Sequence, residues 1–136
     1  DMGVEDYLLT STIVGILAQR LVRTLCPHCK ERYIALPEVV EELGLRKFTS
    51  ERYVVLYHEK GCKECAQTGF YGRICIMEML PMTDPLRSHV MRHATSTELR
   101  AEAIKEGMIT MYEDGMRKAL AGTTTFEEVL RVTREN

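Results

Sequence analysis

The amino-acid sequence predicts an α+β chain, mostly helical, with an amphipathic N-terminal helix, a small two-knuckle subdomain with short strands and a C-terminal helical bundle. Three observations carry this. Apolar residues recur at helical spacing near the start. Two short β-rich runs, Tyr53–His58 and Ile74–Leu80, flank the middle. Four of the five cysteines stand as Cys26-Pro27-His28-Cys29 and Cys62-Lys63-Glu64-Cys65.

Each element has a local chemical cause. Val4, Tyr7, Leu8, Val14, Leu17, Ala18, Leu21, Val22 and Leu25 predict one helix from about residue 4 to about residue 22. Pro27 stops it and begins the first knuckle. Pro37 suits a first helical position, and Gly44 suits a cap after Glu38–Leu43. Tyr53–His58 reads as a strand, Gly61 turns into the second knuckle, and Gly69 and Gly72 loosen the loop after that knuckle. Ile74–Leu80 is apolar at most positions and reads as a buried strand, with Cys75 a small apolar residue within it. Thr83-Asp84-Pro85 starts a helix. Thr95/Glu98, Thr110/Glu113 and Thr124/Glu127 are capping boxes, and Gly107 and Gly122 end the helices before them. Short helices on short turns imply a compact bundle.

Composition narrows the function classes. With 136 residues, a net charge of −2 and no Trp, the chain offers no electrostatic case for nucleic acid or an anionic membrane. No apolar run approaches the roughly 20 residues that span a bilayer. The chain opens Asp1-Met2-Gly3-Val4, inside a helical pattern and without a secretory leader, so the expectation is a piece of something longer. An odd cysteine number with paired Cys-x-x-Cys points to metal in a reducing compartment rather than to disulfides.

Two such pairs complete a tetrahedral shell of four thiolates around one ion. Zn²⁺ is the first expectation. Rubredoxin-like iron takes the same ligands, and a third possibility is that the cysteines bind nothing. A closed shell has no open position, so the ion holds structure, and the expectation is that residues 30–61 depend on it for much of their stability. Cys26, Cys29, Cys62 and Cys65 are therefore the predicted metal ligands, and no catalytic residue is predicted. His28 reads as a spacer, His58 as surface, and His89/His93 as a solvated helix face lacking the Glu of a zinc-protease motif. No Lys comes directly after a Gly, so a phosphate loop is missing. Arg20, Arg23, Arg32 and Arg73 gather near the knuckles in sequence. They suit local ion pairs with Glu31, Glu64 or Glu78, or else a phosphate or a neighbouring subunit.

Asp1–Val4, Leu17-Ala18-Gln19-Arg20-Leu21-Val22-Arg23, Leu25–Cys29, Gly61–Cys65, Thr68–Arg73 and Glu127–Thr133, in that order, resemble the bacterial type II secretion and type IV pilus assembly ATPases. The resemblance runs over nearly the whole chain. It implies a cytoplasmic hexameric motor whose ATP and Mg²⁺ site lies upstream. Residues 1–25 would be the terminal helix of its RecA-like core, 26–72 a zinc-binding subdomain, and 73–136 a C-terminal strand and helical subdomain. It further implies contacts with neighbouring protomers and with the inner-membrane platform, no nucleic acid, and Arg20, Arg23 and Arg73 as inter-subunit or nucleotide-facing candidates. One departure is Cys75, two positions beyond Arg73, where the family usually has a small residue or Gly. The rival reading is a stand-alone zinc-ribbon module for protein or nucleic acid.

Overall fold

The structure, a computed structural model, describes residues 15–134. Among them run β1 (Gly15–Leu25), β2 (Glu31–Ile34), α1 (Pro37–Leu43), β3 (Val55–His58), β4 (Phe70–Pro81), α2 (Asp84–Met91), α3 (Ser96–Lys105), α4 (Met111–Leu120) and α5 (Phe126–Thr133). The α+β class holds. β1 pairs with β4 and β2 with β3, in two separate two-stranded sheets. Two compact units result. One holds residues 19–77 and 111 onward; the other holds residues 78–110 and the described residues before 19.

The expected N-terminal helix is corrected. Its residues 4–14 lie outside the described residues, and residues 15–22 are strand. Gly15 lies against Leu80 and Pro81, and the Thr24 hydroxyl donates to the Tyr71 carbonyl, so β1 runs antiparallel to β4. Within β1 only Val22 and Leu25 are buried, while Leu17 and Leu21 are exposed. Helical spacing of apolar residues was satisfied, yet backbone groups of β4 need a partner strand. That requirement is tertiary, and periodicity does not carry it. β4 itself is longer than Ile74–Leu80 and is not buried on both faces. Ile76 is buried, Met77 and Met79 are exposed, and Cys75 is only partly covered, because a two-stranded sheet cannot cover both of its faces.

In the larger unit the core joins Val22, Ala35, Val40, Leu43, Leu45, Val54, Leu56, Ile76, Met116 and Val129. α1 forms as expected. Pro37 stands at its start, and Gly44 caps it at φ 69°, its N–H turned back to the carbonyls of Val40 and Glu41. β2 and β3 are antiparallel, with Glu31 opposite His58 and Tyr33 opposite Leu56. α4 packs on α5. Gly115 makes that approach possible, since a Cβ there would stand 2.6 Å from Val129 Cγ1.

In the smaller unit Thr83 caps α2 and accepts from the Leu86 N–H. Thr95 and Glu98 cap α3 reciprocally, the Thr95 N–H donating to Glu98 at 2.8 Å and the Glu98 N–H to Thr95 Oγ1 at 3.1 Å. α2 packs on α3, and Arg100 forks onto the Glu78 carboxylate at 2.8 and 3.1 Å.

The last predicted cap moves by one residue. Thr125, not Thr124, caps α5, accepting from the Glu128 N–H at 3.1 Å. Thr124 is buried and donates instead to the Arg23 carbonyl at 2.7 Å. The ties to β1 decide the register, because the Leu25 N–H also donates to the Thr123 carbonyl.

Candidate metal centre

The four sulfurs meet in the larger unit. Cys26 directly follows β1 and is buried; its N–H donates to the Gly69 carbonyl at 2.9 Å. The turn Cys26–Lys30 closes through the Cys29 and Lys30 N–H groups, both donating to the Cys26 carbonyl. The second pair opens a 3₁₀ turn, Lys63–Cys65. Ala66 and Gln67 come next at φ 56° and 66°, left-handed backbone that folds the loop back, and the Gln67 N–H donates to the Cys62 carbonyl at 2.8 Å. At Gly69, φ 84°, a Cβ would stand 2.4 Å from Glu59 Cβ. Glycine is the residue that fits there.

Cys26 Sγ and Cys62 Sγ are 3.8 Å apart, as are Cys29 and Cys65, and Cys62 and Cys65. All four ligand atoms lie within 4.8 Å of one another. Metal–sulfur bonds of about 2.3 Å set at tetrahedral angles put sulfurs about 3.8 Å apart, so the donor set fits one ion. Backbone N–H groups already face the sulfurs. Gly61 donates to Cys29 at 3.3 Å, and Cys62 and Gly69 donate to Cys65 at 3.3 and 3.1 Å. Burial works against ionising Cys65, but these two donors and the neighbouring thiols outweigh it and bring it down to about 6. Burial pushes Cys62 up to about 11. A bound dication would favour the thiolate form of all four.

The other residues singled out by sequence fall elsewhere. His28 is exposed and outside the ligand set. His58 faces Tyr33, ring centroids 5.3 Å apart, and stands 3.8 Å from Glu31. α2 ends at Met91 and His93 adopts φ 58°, so His89 and His93 do not share a helix face. Arg20 and Arg73 are exposed. Of the carboxylates expected beside the arginines, Glu31 pairs with Lys60 at 3.3 Å and Glu78 with Arg100 at 2.8 Å.

Arg23 is held inside the unit. Its guanidinium lies 4.1 Å from the Phe70 ring centroid and pairs with Glu128 at 2.8 Å. Glu128 went unnoticed in the sequence, although Thr125/Glu128 repeats the capping spacing one residue later. Its side chain is 4% exposed. Burial opposes its charge, but Arg23 and Arg131, together with the Arg23 N–H at 2.9 Å, prevail and hold the carboxyl down at about 2. This network fastens α5 to the strand that delivers Cys26.

Fold and site together define a small α+β protein whose two cysteine knuckles could hold one metal ion. A family model described as "Type II/IV secretion system protein" matches residues 1–131, and the chain belongs to that family. Type II secretion system protein E of Xanthomonas campestris pv. campestris is 55% identical over 135 residues, 99% of this chain and 24% of that protein. Type IV pilus assembly ATPase PilB of Thermus thermophilus is 41% identical over 135 residues, 99% of this chain and 15% of that protein. Type II secretion system ATPase E of Vibrio cholerae is 39% identical over 137 residues, 100% of this chain and 26% of that protein. The chain spans about a quarter or less of the length of these curated relatives. The resemblance read in the sequence is borne out.

Proposed function

We propose that this chain is the C-terminal, zinc-holding region of a cytoplasmic hexameric ATPase that powers type II protein secretion or type IV pilus assembly. One observation carries the reading: identity to secretion and pilus ATPases runs over 99% of this chain while covering a quarter or less of theirs. ATP and Mg²⁺ would bind upstream, in keeping with a sequence that has no Gly-Lys step. Residues 1–25 would close the RecA-like core, 26–72 form the metal subdomain, and 73–136 supply the C-terminal contacts.

Zn²⁺ held by four thiolates supplies a closed, structural centre with no position for substrate. The chain's own residues do the rest. Cys26 and Cys29 leave β1, Cys62 and Cys65 return towards β4, and the ion closes residues 30–61 between them. Arg20 and Arg73 would reach neighbouring protomers. Arg23 would do so from a fixed position, its side chain 52% exposed beside Glu128. No helix among the described residues is long and apolar enough to cross a membrane. In this reading the inner membrane is reached through platform proteins.

The test compares this chain with the full-length gene product. The full-length protein should hydrolyse Mg-ATP and form hexamers that Arg20→Glu and Arg73→Glu weaken. The chain alone should do neither, and elemental analysis should find zinc. ATP turnover by the chain alone, or a gene with no upstream phosphate loop, would overturn the reading. Iron, with visible absorption, would favour a redox protein.

A further inference from the structure

We infer that a groove beside α1 is a docking site for an acidic segment of a partner protein that carries an apolar or aromatic side chain. The groove encloses about 700 Å³ within the larger unit. Its floor is core: Ala35, Val40 and Val54 are buried residues that also line it. Its walls are apolar and open to water, with Ile34 60% and Tyr53 59% exposed. Large side chains exposed together over a buried apolar floor mark an interaction surface, whereas single exposed apolar residues do not.

Charge selects the partner. Arg46, Lys47 and Arg52 line the groove against one carboxylate, Glu41, in a chain whose net charge is −2. A locally cationic trough attracts an anionic segment. The cations are positioned in advance. Arg46 donates to the carbonyls of Glu51 and Arg52 and so holds the loop that forms one wall. The Arg52 guanidinium stands over the Tyr53 ring, 5.3 Å from its centroid, which keeps the aromatic face in place. The groove is better suited to a peptide than to a small molecule. Small-ligand sites fix orientation with buried polar groups aimed inward, and among the described residues no buried side-chain polar atom lacks a partner. A single-strand nucleic-acid track would need successive aromatic platforms, and here Tyr53 is the one aromatic residue in the lining.

The test uses the purified chain, its fold checked by circular dichroism, and a displayed library of random peptides. Enriched peptides are then titrated by fluorescence anisotropy against the wild type, the double variant Lys47→Glu/Arg52→Glu and the control Lys105→Glu, an exposed residue at the end of α3. Lys47 and Arg52 are outside the core, so reversing them leaves it intact, and Arg46 is spared because it anchors the loop. Enriched peptides should be net acidic with at least one aromatic or large aliphatic residue. They should bind about tenfold or more weakly to the double variant and unchanged to the control. Replacing the apolar residue by Ser should weaken binding several-fold. Enrichment without acidic bias, equal binding to the double variant, or indifference to the apolar residue would overturn the proposal. So would tighter binding, through the same two cations, to phosphatidylserine vesicles or oligothymidylate than to any enriched peptide.

Discussion

Replacing Glu128 by Gln should destabilise the chain at neutral pH and make no difference in strong acid. Glu128 is buried, pairs with two arginines and sits at about 2 rather than its ordinary 4.5. Each pH unit of that difference is worth about 1.4 kcal/mol of folding stability, which makes about 3 kcal/mol. Arg23 and Arg131 have side chains 52% and 53% exposed, so water screens both pairs, and about 2 kcal/mol is the working figure. Because the folded carboxyl is the stronger acid, its contribution is complete above pH ~5 and disappears as pH falls from there towards 2. Gln keeps the shape but turns an amide N–H₂ towards a guanidinium. Urea unfolding of both proteins, followed by circular dichroism at steps from pH 7 to 2.5, reads the difference directly. Both proteins are measured with a chelator present throughout, so that loss of metal in acid does not enter the difference. A gap below about 0.5 kcal/mol at pH 7, or one that persists unchanged at pH 2.5, would refute the assignment of a buried, paired carboxylate.

Three other substitutions probe the metal loop and the packing of the helices. Cys65→Ser should abolish stoichiometric metal in elemental analysis and native mass spectrometry and cost more than about 3 kcal/mol, because metal affinity is folding energy and the ion would tie together the two ends of residues 30–61, a segment that supplies Val40, Leu43, Leu45, Val54 and Leu56 to the core. Gly69→Ala forces a Cβ to 2.4 Å from Glu59 Cβ at φ 84°, in a peptide whose N–H faces Cys65 Sγ; it should cost about 2–4 kcal/mol in urea unfolding and speed metal loss to a chelator. Gly115→Ala gains about 1 kcal/mol of helix propensity but drives a Cβ to 2.6 Å from Val129 Cγ1, so it should be net destabilising by about 1–2 kcal/mol, with Val129→Ala in the same chain relieving part of the loss.

Which features were legible in the sequence depends on how far apart their causes lie. The four-cysteine cluster was legible because both halves are local: each Cys-x-x-Cys turn fixes two sulfurs, and only their meeting is tertiary. α1, with Pro37 at its start and Gly44 after it, and the Thr95/Glu98 cap were legible for the same reason. β1 was not. Leu17, Leu21 and Leu25 satisfy helical spacing, and what makes them strand is the demand of β4, distant in sequence, for a hydrogen-bonding partner. The predicted burial of Ile74–Leu80 failed with it, since apolar composition does not say how many layers will cover a strand.

Glu128 shows the same limit at the level of a single side chain. Thr124/Glu127 and Thr125/Glu128 are equally good capping pairs in the sequence, and local chemistry gives no reason to choose. The choice is made at Arg23, at the far end of the sequence. Its carbonyl takes the Thr124 hydroxyl, and its N–H and guanidinium take the Glu128 carboxylate. A Thr124 cap would leave the Arg23 carbonyl without that donor and turn Glu128 away from two arginines. The register of α5 is therefore set by the strand it covers, and that strand delivers Cys26 to the cysteine cluster. Loosening the ion pair should consequently be felt at the cysteines. Glu128→Gln should release metal to a chelator faster than wild type at pH 7, by more than its small local change would produce if α5 and Cys26 were independent. Equal release rates would separate the two.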